Sequence, residues 1–431
     1  MRALTHTPSR TILAEAAVLL LFAGVLVASF FAVKDATYFG DEGFHFEQIE
    51  LFLKGELRNT GAVTTIPGHH AFLALLSVLT GLRSLLFYRA VTLCLGILSV
   101  FVFHDIARRL EPRTALVRTA QYVFLPILFP FFFLLYTDVP SVLLSLLALR
   151  SLLRRRYAGS ALWGILSITV RQNNIIWLGF LFALFLWREY GRTLLRPLPS
   201  ALRRRLTPYL PAAQPPLGRF RLAAGWFWFL LGFVLFAAFV VWNGGIAIGD
   251  KGAHPFPNLH LGNVYFLLFL LFFFFLPLHL FRMKEAAARL RTSRMLMPLL
   301  VVAFVVYMFT FVNTHGYNQD LYSVFLRNRI LVYFNLSLLL KTAFFLPVGF
   351  ALLSLAASPR KRTEFLLLLP LTVLYLLPSW LIEQRYYFVP FVFFLLFRAG
   401  LSRRQEWAQA AYSVLFTGVI YYIVATRYLF L

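Results

Sequence analysis

Acidic residues are scarce in this chain of 431 residues: 17 Asp and Glu stand against 41 Lys and Arg, for a formal net charge of +24. Only 13% of the residues are charged, against about 25% in a soluble globular protein. The chain has too little polar surface to coat itself in water. Cysteine is nearly absent, and Cys94, alone in an apolar run, excludes an intrachain disulfide. Also missing are a phosphate-binding P-loop, a dinucleotide glycine fingerprint, a serine elbow and an HExxH helix. Their absence argues against a nucleotide donor held in a standard soluble fold. His254 and His260 have no third ligand nearby, which argues against a structural zinc site. No inverted repeat of the transporter kind is visible.

What is present is hydrophobic. Apolar residues make up 60% of the chain, with 49 Phe, and apolar runs recur near the roughly 20 residues that span a bilayer as helix. The fold class is all-α: a polytopic transmembrane helical protein without a separate soluble domain. The first run, 11–33, is too long for a signal-peptide core and lacks a small-x-small cleavage site. It reads as an uncleaved span with Arg2 and Arg10 on the cytoplasmic side. Further runs lie at 69–82, 87–107, 118–136, 139–153, 158–170, 173–187, 222–248, 261–281, 295–313, 330–356, 365–380, 386–399 and 408–428.

Arginines collect in the breaks: Arg108-Arg109 with Arg113 and Arg118, Arg154-Arg155-Arg156, Arg203-Arg204-Arg205, the segment 289–294, Arg360-Lys361-Arg362 and Arg403-Arg404. If 69–82 is a juxtamembrane or re-entrant helix, all these breaks fall on the cytoplasmic side, as the positive-inside rule requires. That parity gives about 11–14 membrane helices after allowing for short, tilted or broken runs. It also places Asp41, Asp138, Arg171, Asp250, His315 and Glu383 together on the opposite face. The positive charge therefore reads as topology, with no nucleic-acid partner. The basic, proline-rich segment 191–221 reads as a cytoplasmic linker between an N-terminal transmembrane module, 1–190, and a C-terminal one, 222–431.

In the outer loop 34–68, Asp41, Glu42 and His45 set two adjacent carboxylates and an imidazole where the chain first meets water on that face. Ionised groups there are costly without water or partners, and a carboxylate can deprotonate a hydroxyl nucleophile. A solvated loop is the ordinary alternative. Phe44, Ile49, Leu51, Phe52 and Leu53 point to a short helix on the membrane surface. Pro67 is placed to begin the next helix at its first turn. Asp138, ahead of Pro140, reads equally as a helix N-cap and as a functional acid. Arg171-Gln172-Asn173-Asn174 offers four hydrogen-bonding side chains to a sugar or phosphate, or forms an interfacial turn. Asp250, Lys251 and His254 share one loop, and His315 leads towards Arg327 and Arg329. Glu383 and Arg385 follow later, where outward arginines hint at an anion such as a lipid phosphate. A structural Glu383–Arg385 pairing is the ordinary alternative.

Five ordered blocks carry a resemblance. They are Asp41-Glu42-x-Phe44-His45-x-x-Gln48 with Gly55 and Thr64-Thr65-x-Pro67-Gly68; Tyr136-Thr137-Asp138; Arg171-Gln172-x-Asn174-Ile175-Ile176-Trp177; Gly249-Asp250-Lys251 with His254 and Leu259-His260-Leu261; and Glu383-x-Arg385-Tyr386-Tyr387 with Pro390. In order and spacing they resemble the dolichyl-phosphate-glucose-dependent α-1,2-glucosyltransferases of N-glycan precursor assembly, membrane enzymes of the GT-C type. One block departs. The family carries a contiguous Asp-Asn-Arg-His-Tyr run, whereas here His315-Gly316 is followed by Asp320-Leu321-Tyr322. The short, arginine-rich, lysine-poor chain points to a divergent homologue, with a bacterial source and a different acceptor left open.

The resemblance implies a GT-C-like N-terminal module. It implies inverting transfer of a hexose, glucose by the family's example, from a polyprenyl- or dolichyl-phosphate donor to a hydroxyl of a glycan or lipid-linked acceptor. The reactive face would be lumenal in an endoplasmic reticulum membrane, or periplasmic in a bacterial inner membrane. Asp41 would be the base, and Glu42 would position the acceptor or share that role. Arg385, with Lys251 and His315, would stabilise the departing phosphate. His45, Asp138, Arg171, Gln172, Asn174, Asp250 and Glu383 would complete the pocket. Hydrophobic grooves between helices would hold the polyprenyl tail. No cofactor is required, and no motif supports a divalent ion. The rival reading, a flippase or transporter of lipid-linked sugars, calls for charges deep in spans and repeat symmetry. A polysaccharide polymerase or ligase would use outer arginines but leaves the Asp41-Glu42 block unexplained.

Overall fold

The computed structural model describes residues 10–211, 215, 217–255, 258–322, 325–358 and 362–430. Arg2, Arg360 and Lys361 of the basic segments lie outside the described residues. The first half forms α1 (Arg10–Val33), α2 (Glu42–Leu53), α3 (Gly68–Thr80), α4 (Leu85–Leu110), α5 (Ala115–Val123), α6 (Asp138–Leu153), α7 (Tyr157–Val170), α8 (Ile175–Leu195) and α9 (Ser200–Leu206). The second forms α10 (Arg219–Asn243), α11 (Gly262–Phe274), α12 (Leu276–Phe281), α13 (Met283–Thr292), α14 (Leu296–Thr310), α15 (Gly316–Gln319), α16 (Leu326–Asn335), α17 (Leu338–Ala357), α18 (Thr363–Leu376), α19 (Phe388–Phe397) and α20 (Arg403–Ala425). Among the described residues there is no strand; the one isolated bridge joins Phe325 to Phe430. The protein is an all-α, polytopic integral membrane protein.

Prolines decide where the apolar runs stay continuous, because each removes a backbone donor and crowds the preceding turn. The run 118–136 contains Pro126 and Pro130, so α5 stops at Val123 and a 3-10 turn covers Phe129–Phe133. The run 261–281 breaks at Phe275, ahead of Pro277. Pro67 caps α3 instead of opening its first turn. Among the described residues, five helices are long and apolar enough to cross a bilayer: α1 from Leu13, α4, α10, α17 and α20. The pair α13–α14, bent by 104°, adds a sixth if counted as one span. Helices of 13 or 14 residues, α3, α7, α11 and α18, rise only about 20 Å. That falls short of the roughly 30 Å hydrocarbon core, so they sit among or beside the longer helices.

The ten residues of α19, Phe-Val-Pro-Phe-Val-Phe-Phe-Leu-Leu-Phe, are all buried, as an all-round apolar helix must be. Trp177 of α8 packs its ring 5.1 Å from Tyr375 of α18 and 5.4 Å from Phe393 of α19. Phe269 and Phe344 stack at 4.2 Å between α11 and α17. Much of the phenylalanine thus fills protein interior, while Phe220, Phe227 and Phe309 face outward.

Charged side chains gather the helix ends. Asp105 of α4 pairs with Arg109 at 3.3 Å, Arg150 at 2.8 Å and Arg154 at 2.9 Å. Arg155 reaches Glu189 at 2.8 Å, and Arg362 donates to the Leu110 carbonyl. These contacts bring the ends of α4, α6 and α8 and the start of α18 together in one arginine-rich end. Nearby, a wholly buried cluster joins α5, α19 and α20. Arg398 donates to Glu406 (3.0 Å) and Gln121 (2.8 Å), while Gln121 donates to Glu406 (3.0 Å). Removing one partner of a buried pair costs about 3–5 kcal/mol. Glu406→Ala is therefore expected to lower the thermal unfolding temperature of the detergent-solubilised protein by several degrees. The exposed Arg403→Ala is expected to leave it unchanged.

Candidate active site

The site begins with a buried arginine. Arg89 of α4 is fully buried, and its Nη1 donates to the carbonyls of Val33 (3.1 Å), Lys34 (3.2 Å) and Ala36 (2.8 Å). Its Nη2 donates to Thr37 (3.1 Å) and its Nε to Glu42 Oε1 (2.9 Å); Nη2 also grips Glu42 Oε2. Glu42 in turn accepts from the amides of Leu135 (2.7 Å) and Phe39 (2.9 Å). The chain between α1 and α2 is thereby folded onto α4 and the 134–136 turn. Gly40 lies in the left-handed region at φ 52°, and a Cβ there would meet Tyr136 Oη at 2.5 Å. Glycine is required at that position. Tyr136 Oη donates to the Phe39 carbonyl (2.8 Å) and accepts from the Asp41 amide (2.7 Å).

Asp41 is therefore held by its backbone, and its carboxylate, 34% exposed, opens into a cavity of about 770 Å³. Its Oδ2 lies 2.8 Å from Arg385 Nη2. Its Oδ1 accepts no hydrogen bond among the described residues. Arg385 also pairs through Nε with Glu383 (3.3 Å), and Glu383 pairs with Arg327 (2.9 Å). The Arg385 guanidinium rests 5.2 Å over the Tyr136 ring. This wall is rigidly fastened. Asn263 of α11 accepts from the Glu383 amide (3.1 Å) and donates to the carbonyls of Ser379 (3.0 Å) and Leu381 (2.8 Å). Buried Asn318 clasps the Ile382 amide and carbonyl, both at 2.9 Å.

The structure sorts the residues singled out in the sequence. Asp41, His45, Arg171, Gln172, Asp250, Glu383 and Arg385 line the cavity. Arg171 pairs with Asp138 at 3.1 Å and donates to Thr137 Oγ1 at 3.2 Å. Asp138 is buried behind it as the first residue of α6, and Thr137, not Asp138, occupies the cap position. Gln172 clips the outer loop, donating to the Thr64 carbonyl (2.7 Å) and accepting from the Ile66 amide (3.2 Å). Asp250 accepts from Tyr317 Oη (2.8 Å) and the Ala253 amide (3.1 Å). Chiefly the Tyr317 hydrogen bond holds its carboxyl below the usual carboxylate range.

Four expectations are corrected. Glu42 is enclosed, with both oxygens engaged as described above, so it has no path to a substrate. Asn174 is fully buried, donating to Ser141 Oγ (2.8 Å) and the Ser167 carbonyl (3.0 Å). Lys251 points away, its Nζ donating to the Asn243 carbonyl at 2.6 Å. His315 lies behind the wall, both ring nitrogens engaged by the Ala253 carbonyl (2.9 Å) and the Tyr317 amide (3.1 Å). His45 lines the cavity, and its Nδ1 lies 2.8 Å from His70 Nε2. The sequence reading missed Arg89, Tyr136, Asn263 and Asn318 as builders of the site. Arg89 carried a signal, since an arginine within an apolar run is costly unless it has a task, and Tyr136 stood in one of the ordered blocks without a role assigned to it. Among the described residues no three His, Cys, Asp or Glu side chains converge as metal ligands.

Burial first, then the charge of Arg385, pushes the His45 pKa well below the ordinary 6.5. An unfolded His45 takes up its proton near 6.5, whereas the folded one resists until much lower pH. Its linked stability is thus complete above pH 6.5 and lost as pH falls. The unfolding temperature is expected to decline below pH 6.5, and His45→Gln is expected to make that decline shallower. Identical slopes would contradict this assignment.

The DIE2/ALG10 family model matches residues 35–396. The chain is similar to the Dol-P-Glc:Glc(2)Man(9)GlcNAc(2)-PP-Dol alpha-1,2-glucosyltransferase of Homo sapiens, 28% identical over 414 residues and 83% of each chain. Its identity to the Arabidopsis thaliana protein of that name is 24% over 437 residues, 83% of this chain and 85% of the relative. The Drosophila melanogaster protein is 25% identical over 432 residues, 90% of each. No solved structure matches the chain. The matched region spans the whole site, from Arg89 and Asp41 to Arg385, and most of the chain besides; this protein belongs to the DIE2/ALG10 family.

Proposed function

We propose that this glycosyltransferase moves glucose from a polyprenyl-phosphate donor to a hydroxyl of a lipid-linked glycan acceptor, with inversion. The observation that carries the reading is the Asp41–Arg385 contact at 2.8 Å. It sets a partly exposed carboxylate and a guanidinium side by side in one cavity. In the proposed step the acceptor oxygen bonds to the glucose C1 and its proton passes to Asp41 Oδ1. The bond from C1 to the phosphate oxygen breaks, and its electron pair leaves with polyprenyl phosphate. A single displacement on a β-linked donor yields an α-product.

Arg385 Nη1 contacts no acceptor among the described residues, so it is placed to receive a phosphate oxygen while Nη2 keeps Asp41 in position. Arg327 and Arg171 line the same cavity and would add positive potential where phosphate charge develops. Asp250 and the exposed Tyr317 lie on the cavity wall and offer hydrogen-bonding partners to acceptor hydroxyls. On the side formed by α8, α10 and α18, Ile175, Ile176, Phe236 and Leu374 line the cavity, an apolar approach suited to the polyprenyl tail. The site lies away from the arginine-rich end, which supports a lumenal or periplasmic position under the positive-inside rule. The step itself calls for no cofactor.

The test is a transfer assay with the purified full-length protein in detergent. Given polyprenyl-phosphate-[¹⁴C]glucose and a lipid-linked glycan, it is expected to label the acceptor and release an equal amount of polyprenyl phosphate. Arg385→Met is expected to lower turnover by about 10²–10³-fold while the protein remains folded. Equal use of a mannosyl donor would overturn the glucose assignment. Movement of the labelled lipid across vesicles without transfer would favour a flippase.

A further inference from the structure

We infer that a second cavity, at the arginine-rich end of the helices, binds the phosphate headgroup of an anionic membrane lipid. It encloses about 500 Å³ and is lined by Arg109, Arg188 and Arg362, with Trp187, Leu153 and Leu184 among its apolar walls. Its outer wall is the segment 208–211, held in place by Tyr209. The Tyr209 carbonyl accepts from Trp187 Nε1 at 2.9 Å and from Thr363 Oγ1 at 2.7 Å. The wall therefore consists of an anchored segment.

The charges do not balance internally. Arg109 pairs with Asp105 at 3.3 Å, and Arg362 with Glu111 at 3.4 Å. Arg188 makes no ion pair and no side-chain hydrogen bond among the described residues, and its Nε is buried without a partner. Its neighbour Glu189 is occupied by Arg155 and Tyr157. One carboxylate, Glu364, also lines the cavity, leaving guanidinium in excess. A half-buried guanidinium without an anion carries a desolvation cost that a phosphate would offset, and its fork matches phosphate oxygens better than an ammonium would.

The apolar part of the lining separates a lipid from a free anion. Leu110, Leu153 and Leu184 would be left in water by inorganic phosphate but covered by the glycerol and upper acyl region of a lipid. Basic pockets between membrane helices on the cytoplasmic side are suited to such headgroups. Two helices connect this cavity to the active site. α8 contributes Ile176 to one cavity and Arg188 to the other, and α18 contributes Leu374 and Thr363. At 1.5 Å per residue the two sites are separated by about 18 Å along α8. A lipid seated here would brace the lower ends of helices whose upper ends line the catalytic cavity.

The test uses the full chain in nanodiscs of phosphatidylcholine doped with phosphatidic acid, extracted and read by native mass spectrometry. The wild type is expected to retain one phosphatidic acid per chain. Arg188→Gln is expected to reduce that retention about fivefold, Arg188→Glu to abolish it, and Arg188→Lys to keep most of it. Arg188 holds no partner, so these variants are expected to unfold at the wild-type temperature. The exposed Arg294→Gln serves as the control for diffuse surface attraction. Equal loss in that control, or unchanged retention in Arg188→Glu, would overturn the site. Displacement of the lipid by millimolar inorganic phosphate would overturn its assignment to a lipid in favour of a soluble anion.

Discussion

The buried contact between Glu42 and Arg89 determines where the chemistry can stand. Two charges taken out of water are costly, and their mutual attraction offsets that cost only when the remaining hydrogen-bonding capacity is filled. Here it is filled almost entirely by backbone. Arg89 reaches four carbonyls from Val33 to Thr37, and Glu42 takes the amides of Phe39 and Leu135. One ion pair thus joins the end of α1, the start of α2, the body of α4 and the turn before α6. Asp41 sits between these fixed points, and its amide is fastened by Tyr136. Its side chain is the group left facing the cavity.

The cavity wall continues the same logic with charges that, at Asp41 and Arg385, are only partly enclosed. Asp41, Arg385, Glu383 and Arg327 alternate in sign along one chain of contacts. The guanidiniums are held by carboxylates on the cavity wall, an orientation that would limit the reorganisation required by the proposed phosphate leaving group. Asn263 and Asn318 hold the 379–383 segment by its backbone. The acid at 383 can therefore orient Arg385 without moving itself. Arg171 occupies the neighbouring wall, backed by Asp138. Rigid backbone supports behind these charge contacts fit the anionic leaving group of the proposed reaction.

Much of this was legible in the sequence because a polar residue between apolar runs has few ordinary reasons to be there. Asp41, Arg171, Glu383 and Arg385 stood out on that ground, and the structure brings them into one cavity. Spacing alone did not separate Asp41 from Glu42, and only the family resemblance pointed to Asp41 as the base, since adjacent residues at a helix start can point in opposite directions. Only the position of Arg89, 47 residues on, shows which carboxylate is buried. The nitrogens of Lys251, His315 and Asn174 are engaged by backbone or hydroxyl groups that no spacing reveals. Hydropathy likewise found the apolar runs but not their breaks. Pro126, Pro130 and Pro277 are single residues that barely lower the hydropathy of a long apolar window, yet they divide the helices.

The most direct measurement compares Asp41→Asn with Glu42→Gln in the same purified preparation, reading both glucosyl transfer and thermal unfolding. The two side chains are adjacent and chemically alike, so any difference between the variants comes from their surroundings. Asp41→Asn is expected to lose at least 10²-fold in turnover, the scale of a missing general base, while unfolding at the wild-type temperature. Glu42→Gln is expected to unfold at a distinctly lower temperature because it leaves Arg89 as an uncompensated buried charge. Full transfer by Asp41→Asn, or a stable Glu42→Gln protein that fails only in transfer, would contradict the division of labour between the two acids.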